Sequence, residues 1–262
     1  MNEQTQMDKA GADKADAARR KFVGAVAAAG AVGGVAALAP GLHLIQVSQA
    51  TPTPRAAGEA ASNKVRWGML IDTSKCDSGC TDCVKACATE NGINETVKDA
   101  RQASQWIRKI DIKEPKTDHT HSLPMMCQHC AEPPCVDVCP TGASMKRADG
   151  IVLVDRHTCI GCRYCMMACP YKARSFVHTP LHEQNPEVPR GQGCVEACTL
   201  CVHRVDKGQQ PACVESCPEG AMLFGDLNDP VSAISIRVRE VSTTQLRADL
   251  HLDTGVRYLG LG

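Results

Sequence analysis

Cys159-Ile-Gly-Cys162-Arg-Tyr-Cys165-Met-Met-Ala-Cys169-Pro170 is the stretch of this sequence best equipped for chemistry. Its spacing, C-x2-C-x2-C-x3-C-P, sets three thiolates on a tight curl that can close on a cuboidal [4Fe–4S] cluster, while the fourth points on to a second cluster. Pro170 lacks an amide hydrogen and fixes its own φ, which turns the chain away after the last ligand. Three more groups accompany this one: Cys76-x3-Cys80-x2-Cys83-x3-Cys87, Cys127-x2-Cys130-x4-Cys135-x3-Cys139 and Cys198-x2-Cys201-x11-Cys213-x3-Cys217. Sixteen of the 17 cysteines are thereby placed, enough thiolate for four [4Fe–4S] clusters. Cys194 is left over and reads as an incidental thiol rather than a spare ligand.

Two other uses of cysteine compete. Zinc modules pair two C-x2-C knuckles across a longer gap, whereas three cysteines within seven residues followed by C-P suit a cuboidal cluster better. Disulfide scaffolds rarely repeat one spacing four times. A structural zinc- or disulfide-stapled protein is therefore the remote alternative. Other signals are weaker. His129, between Cys127 and Cys130, either tunes a potential by hydrogen bonding or is a loop histidine without a role. His119 and His121 read as solvated residues of a polar loop, and the pairs Met125-Met126 and Met166-Met167 as flexible apolar filler around clusters. No nucleophile–base constellation or phosphate-binding glycine loop is present, so no catalytic residue is expected.

The elements that must position the thiols are short. Gly68-Met-Leu-Ile-Asp72 precedes Cys76, and Gly150-Ile-Val-Leu-Val-Asp155 precedes Cys159, each by an Asp-x3-Cys step. Both suit buried strands. Cys139-Pro-Thr-Gly-Ala and Cys217-Pro-Glu-Gly-Ala share C-P-x-G-A, and the second leads into the apolar run Ala221–Phe224. The repetition predicts an α+β fold of duplicated bacterial ferredoxin-like domains with short strands, cluster-binding loops and short helices. Trp106–Ile112 alternates well enough to suggest an added strand, and Thr179–Gly193 reads as a surface loop.

Composition fits a fold held by cysteine. The 262 residues include three Phe, three Tyr and two Trp, a thin supply of large core side chains. Basic and acidic side chains balance at 29 each, which gives no electrostatic footprint for nucleic acid. At the N-terminus, Arg19-Arg20-Lys21 opens an uncharged run from Val23 to Leu42, the layout of a twin-arginine export signal over residues 1–50 with cleavage after Ala50. Residues 51–64 read as a flexible linker. The tail beyond Ser232 contains no run able to span a membrane.

From Val65 to about Leu227 the sequence resembles the four-cluster ferredoxin-type electron-transfer subunits of periplasmic respiratory complexes. Met126-Cys-Gln-His-Cys-Ala-Glu-Pro-Pro-Cys135 and Cys198-Thr-Leu-Cys201, with Cys213-Val-Glu-Ser-Cys217, carry the likeness. The export signal, the longer first group and Asp226–Pro230 look most like the iron–sulfur subunit of the membrane complex associated with dissimilatory sulfite reductase. The resemblance implies crossed ligation in four sets: Cys76, Cys80, Cys83 and Cys217 (set one); Cys87, Cys198, Cys201 and Cys213 (set two); Cys127, Cys130, Cys135 and Cys169 (set three); Cys139, Cys159, Cys162 and Cys165 (set four). Groups one and four would build one domain from residues 65–122 and 180–262, with groups two and three in a second domain, 123–179, inserted within it. It also implies an electron-transfer subunit without its own substrate chemistry, periplasmic and peripheral to the inner membrane through its partners. Those partners would be a quinone-reactive integral membrane subunit and a periplasmic multihaem cytochrome. The runner-up is the iron–sulfur subunit of a periplasmic molybdopterin oxidoreductase. Two departures fall on the first group, Cys76-x3-Cys80 where the family has C-x2-C, and Ala88 where it has proline.

Overall fold

The computed structural model describes residues 52–261 apart from 94–96, 98, 116 and 117. The export signal and its cleavage point therefore lie outside the described residues.

The apolar runs become strands, and the repeat in sequence becomes a repeat in pairing. β1 (Trp67–Asp72) pairs antiparallel with β8 (Met222–Asp226), from Trp67 opposite Asp226 to Ile71 opposite Met222. β4 (Ser144–Lys146) pairs antiparallel with β5 (Val152–Val154). In both cases the strand after C-P-x-G-A lies against the strand before Asp-x3-Cys. The aspartate has a local task in each copy. Asp72 Oδ1 accepts from the Ser74 N–H at 3.2 Å, and Asp155 Oδ1 accepts from the His157 N–H at 2.8 Å. Such a side-chain bond to the backbone two residues on bends a strand into a turn, and so delivers the next cysteine.

The stretch after Trp106 does form a strand, β2 (Ile107–Lys113), but its partner is unexpected. β3 (Thr120–Met126) runs antiparallel to it, Ile107 opposite Met126 and Lys113 opposite Thr120. His121 is therefore a strand residue rather than a loop residue, and its ring meets His119 edge-on at 4.5 Å. Pro124 sits inside β3, where the two-stranded sheet leaves an outer edge that needs no amide donor. The tail also contributes more than its composition suggests. α6 (Ala233–Glu240) is capped by the Ser232 hydroxyl on the Ser235 N–H, and β9 (Val256–Leu259) joins β1 in parallel. Tyr258 of β9 is fully buried, and its hydroxyl donates to the Pro124 carbonyl at 3.1 Å. Among the described residues no helix is long and apolar enough to cross a membrane.

Two segments read as loops are tied down. Arg55, in the stretch taken as a linker, donates its backbone N–H to the Asp206 carbonyl at 2.8 Å and its guanidinium to the Asp206 carboxylate. Residues 179–193 have no regular structure, yet Arg190 turns inward and grips Glu196 of β7 (Val195–Glu196) through Nε at 2.9 Å and Nη2 at 2.6 Å. β7 pairs in turn with β6 (Ser175–Phe176). Glu196→Gln would remove the charge that balances Arg190, whose Nη1 still meets the Gly92 carbonyl, and should lower the denaturant midpoint at constant slope.

The main core is part hydrocarbon and part sulfur. Met69, Ile71, Leu123, Met126, Ile151 and Phe224 share it with Cys83, Cys87, Cys127, Cys130, Cys169, Cys198 and Cys213. A smaller cluster is half cysteine, Cys135 and Cys165 with Val152 and Val195. Met126 belongs to the main core and Met166 packs against the smaller one, but Met167 is 65% exposed and fills nothing.

Candidate metal centres

Short helices distribute the thiols. Each cysteine group ends in C-x3-C, and each of these pairs straddles a helical turn: α1 (Asp82–Glu90) carries Cys83 and Cys87, α2 (Pro134–Asp137) carries Cys135 with Cys139 just beyond, α3 (Tyr164–Ala168) carries Cys165 with Cys169 at its C-cap, and α5 (Ala212–Glu215) carries Cys213 with Cys217 beyond. Thiols four residues apart stand one turn apart along a helix. Each helix can thus offer one thiol to each of two neighbouring sites. The remaining helix, α4 (Val202–Val205), starts at Cys201, which takes the left-handed conformation at φ 49°. The curl within Cys159–Cys162 needs Gly161 for two reasons. Its φ is +69°, and a Cβ there would stand 2.3 Å from the Gly193 carbonyl oxygen.

The thiols gather around gaps. Cys76, Cys80, Cys83 and Cys217 line one small gap. Cys127, Cys130, Cys135 and Cys169 line another, and Cys139, Cys159, Cys162 and Cys165 a third. The remaining four are grouped by charge: Cys198 and Cys201 raise the pKa of Cys87, and Cys201 and Cys87 raise that of Cys213. Neighbouring groups touch electrostatically. Cys83 acts on Cys87 and Cys213, and Cys127 acts on Cys198. Arg174 acts on both Cys135 and Cys165. Set one thus neighbours set two, set two neighbours set three, and set three neighbours set four.

Burial dominates the thiol chemistry. It pushes Cys83 up to about 11 despite the cation of Lys109, and Cys127 and Cys130 up to about 12. Buried thiols of this kind lose their protons when a cation takes their place, so metal binding and proton release are coupled here. Donors aimed at sulfur are already in position. Cys139 Sγ accepts from the Ser144 N–H at 3.3 Å, and Cys217 Sγ from the Ala221 N–H at 3.3 Å, the same bond in both copies of C-P-x-G-A. Cys198 Sγ accepts from Leu200 N–H at 3.4 Å, and Cys159 Sγ from Val195 N–H at 3.5 Å. Lys109 Nζ donates to Cys76 Sγ at 2.9 Å, and Asn91 Nδ2 lies 3.5 Å from Cys87 Sγ.

A zinc ion draws its sulfurs to about 2.3 Å. Among the described residues no three Cys, His, Asp or Glu side chains close on a single ion in that way. Four thiols around a gap, met by backbone N–H groups, fit a multi-atom iron–sulfur group, whose sulfurs accept such bonds. None of the seventeen cysteines is paired in a disulfide. Cys194 lines none of these three cavities; its thiol donates to the Arg156 carbonyl at 3.2 Å and borders a separate groove.

His129 is no loop bystander. It is fully buried at φ 44°, and its Nδ1 accepts from the Val152 N–H at 3.0 Å. Burial first, then the nearby guanidinia of Arg66 and Arg174, lower its pKa to about 3. The ring is thus neutral with its proton on Nε2. Sequence reasoning missed Lys109 and Arg174 altogether, because nothing in the order of residues says that a cation 33 or 39 positions away lies on a given thiol.

Thiols gathered in fours around gaps and met by backbone N–H groups fit the class of iron–sulfur proteins. The sequence profile of the 4Fe–4S dicluster domain matches residues 119–227. The chain is 43% identical over 234 residues to the Hdr-like menaquinol oxidoreductase iron-sulfur subunit 1 of Archaeoglobus fulgidus, covering 78% of this chain and 87% of the relative. It is 36% identical to a tetrathionate reductase subunit from Salmonella typhimurium (86% and 84% covered) and 35% identical to the menaquinone reductase iron-sulfur cluster-binding subunit of Nitratidesulfovibrio vulgaris (75% and 89%). The chain belongs to this family of 4Fe–4S dicluster, ferredoxin-type iron–sulfur subunits. It binds 4Fe–4S clusters and serves as an electron-transfer subunit of a redox complex, not as a catalytic one. The zinc- and disulfide-stapled alternatives give way to that assignment.

Proposed function

We propose that each of the four cysteine sets holds one [4Fe–4S] cluster, and that the chain relays single electrons between a quinone-reactive integral membrane subunit and a periplasmic multihaem cytochrome. In this reading it is an iron–sulfur subunit of the DsrO type, working in sulfur metabolism. The observation that carries the reading is the gradient of burial along the row. All four thiols of sets two and three are buried, whereas Cys76, Cys80 and Cys217 at one end and Cys139, Cys159 and Cys162 at the other are partly or fully exposed. A relay needs two accessible ends and an insulated middle.

A [4Fe–4S] cluster supplies a one-electron couple within roughly −700 to +450 mV, and its surroundings set where in that range it lies. The chain's share is to hold the thiolates, direct N–H groups at sulfur and keep water from the middle of the row. The like pairing of β4 with β5 and β8 with β1 supports a duplicated ferredoxin fold, with the second unit at 123–179 inserted between 65–122 and 180–262. The names of two relatives, one from a menaquinol oxidoreductase and one from a menaquinone reductase, support the quinone side. Export by the twin-arginine route fits clusters inserted before the membrane is crossed, and would leave the chain periplasmic, peripheral to the inner membrane.

A second reading is favoured by the length of the match to the tetrathionate reductase relative: the iron–sulfur subunit of a periplasmic molybdopterin oxidoreductase. Affinity purification of the tagged chain from detergent-solubilised native membranes separates the two. The first reading expects an integral membrane subunit and a cytochrome to come with it, a mature chain beginning at Thr51, and reduction by added quinol. A large molybdenum-containing partner without a cytochrome would favour the second, and a chain left unprocessed in the cytoplasm would contradict both.

A further inference from the structure

Arg174 follows the last cysteine of the third group by five residues and is buried, 6% exposed. Its Nη2 donates to Cys135 Sγ at 3.0 Å and to Ser144 Oγ at 2.8 Å. Cys135 belongs to set three. Set four is reached through Ser144, whose own N–H meets Cys139 Sγ at 3.3 Å, and the guanidinium also acts electrostatically on Cys165 of that set. Burying a cation is costly unless negative charge meets it, and the groups that most favour this one's charge are the cysteines 135, 127 and 165. Its Nε and Nη1 are buried without a hydrogen-bond partner, so donors remain free on the same fork. Ser144 ties that fork to β4, the strand whose own N–H meets Cys139.

We propose that Arg174 is a positioning residue shared by two metal centres: one guanidinium, wedged between sets three and four, that raises the reduction potential of both clusters together. The inference rests on the four-cluster reading. Reduction adds one negative charge to a cluster, and a fixed cation beside its thiolates stabilises that charge. Sets one and two are served differently. Lys109 reaches set one from a partly exposed strand and shares its ammonium with the Asp77 carbonyl, and the donor on Cys87 is the neutral amide of Asn91. An arginine does not titrate in the working range, so the effect of Arg174 holds at any pH the protein tolerates.

The test is anaerobic potentiometric EPR on the cluster-loaded full chain, wild type against Arg174→Gln and Arg174→Lys. In Arg174→Gln two centres should move to lower potential while the other two stay. Arg174→Lys keeps the charge but loses the fork, so the two potentials should part, one held and one lowered; this variant also gives the answer if Arg174→Gln fails to assemble. Four centres with unchanged potentials in either loaded variant, or four that shift equally, would overturn the shared role and leave the four-cluster reading intact. Fewer than four centres in the wild-type chain would instead overturn that reading, and the inference with it.

Discussion

Stripping the iron from the purified chain is expected to abolish its cooperative unfolding transition. Seven of the 24 residues in the main core are cysteines, and few large aromatic side chains stand behind them. Without clusters, those thiols enclose gaps instead of contacts. With a cluster in each set, set one would join Cys83 to Cys217, and set two would join Cys87 to Cys198. On a loop-closure scale, each cross-link over a loop of about 100 residues is worth up to about 4.7 kcal/mol. Two such links rival the whole stability of an ordinary domain, about 5–15 kcal/mol. Circular dichroism and tryptophan fluorescence during anaerobic chelation read the outcome. A metal-free chain with an unchanged, sharp melting transition would show that hydrocarbon alone holds the fold.

Cys198→Ala should break the relay in its middle while sparing its ends. Set two stands between set one, through Cys213 and Cys83, and set three, through Cys198 and Cys127. Alanine there should cost about one quarter of the bound iron, one cluster of four. Electron transfer between the accessible ends should drop to background, because the gap left is one whole set wide. Cys194→Ala provides the contrast. That thiol neighbours Cys159 of set four but donates to the Arg156 carbonyl and lines none of the three gaps, so its loss should leave the iron content and transfer rate unchanged. Transfer surviving in Cys198→Ala would mean that electrons do not pass along this row.

The placement of the thiols was legible in the sequence because it is written locally. A C-x3-C pair specifies a helical turn between two thiols, and α1, α2, α3 and α5 supply it. The strands at Trp67–Asp72, Val152–Val154 and Met222–Asp226 were legible for the same reason, each being a short apolar run bounded by a turn-forming aspartate or glycine. What escaped depends on partners far along the chain. Thr120–Met126, with a histidine, a serine and a proline, does not read as a strand until β2 gives it a register. Val256–Leu259 is too short to announce itself, and its parallel pairing with β1 joins positions nearly two hundred residues apart. His129 showed its place between two cysteines but not its burial, and Arg174 showed neither its depth nor its neighbours. Sequence spacing places the thiols; the charges around them are a product of tertiary contact.

The central claim is that four iron–sulfur centres lie in one row within this chain. Potentiometric EPR on anaerobically purified, exported protein, with iron and acid-labile sulfide counted on the same sample, tests it most directly. The account predicts four [4Fe–4S] centres per chain, appearing one after another as the potential is lowered and broadened by magnetic contact with their neighbours. A fully folded preparation with fewer than four centres, or with zinc in place of iron, would contradict it.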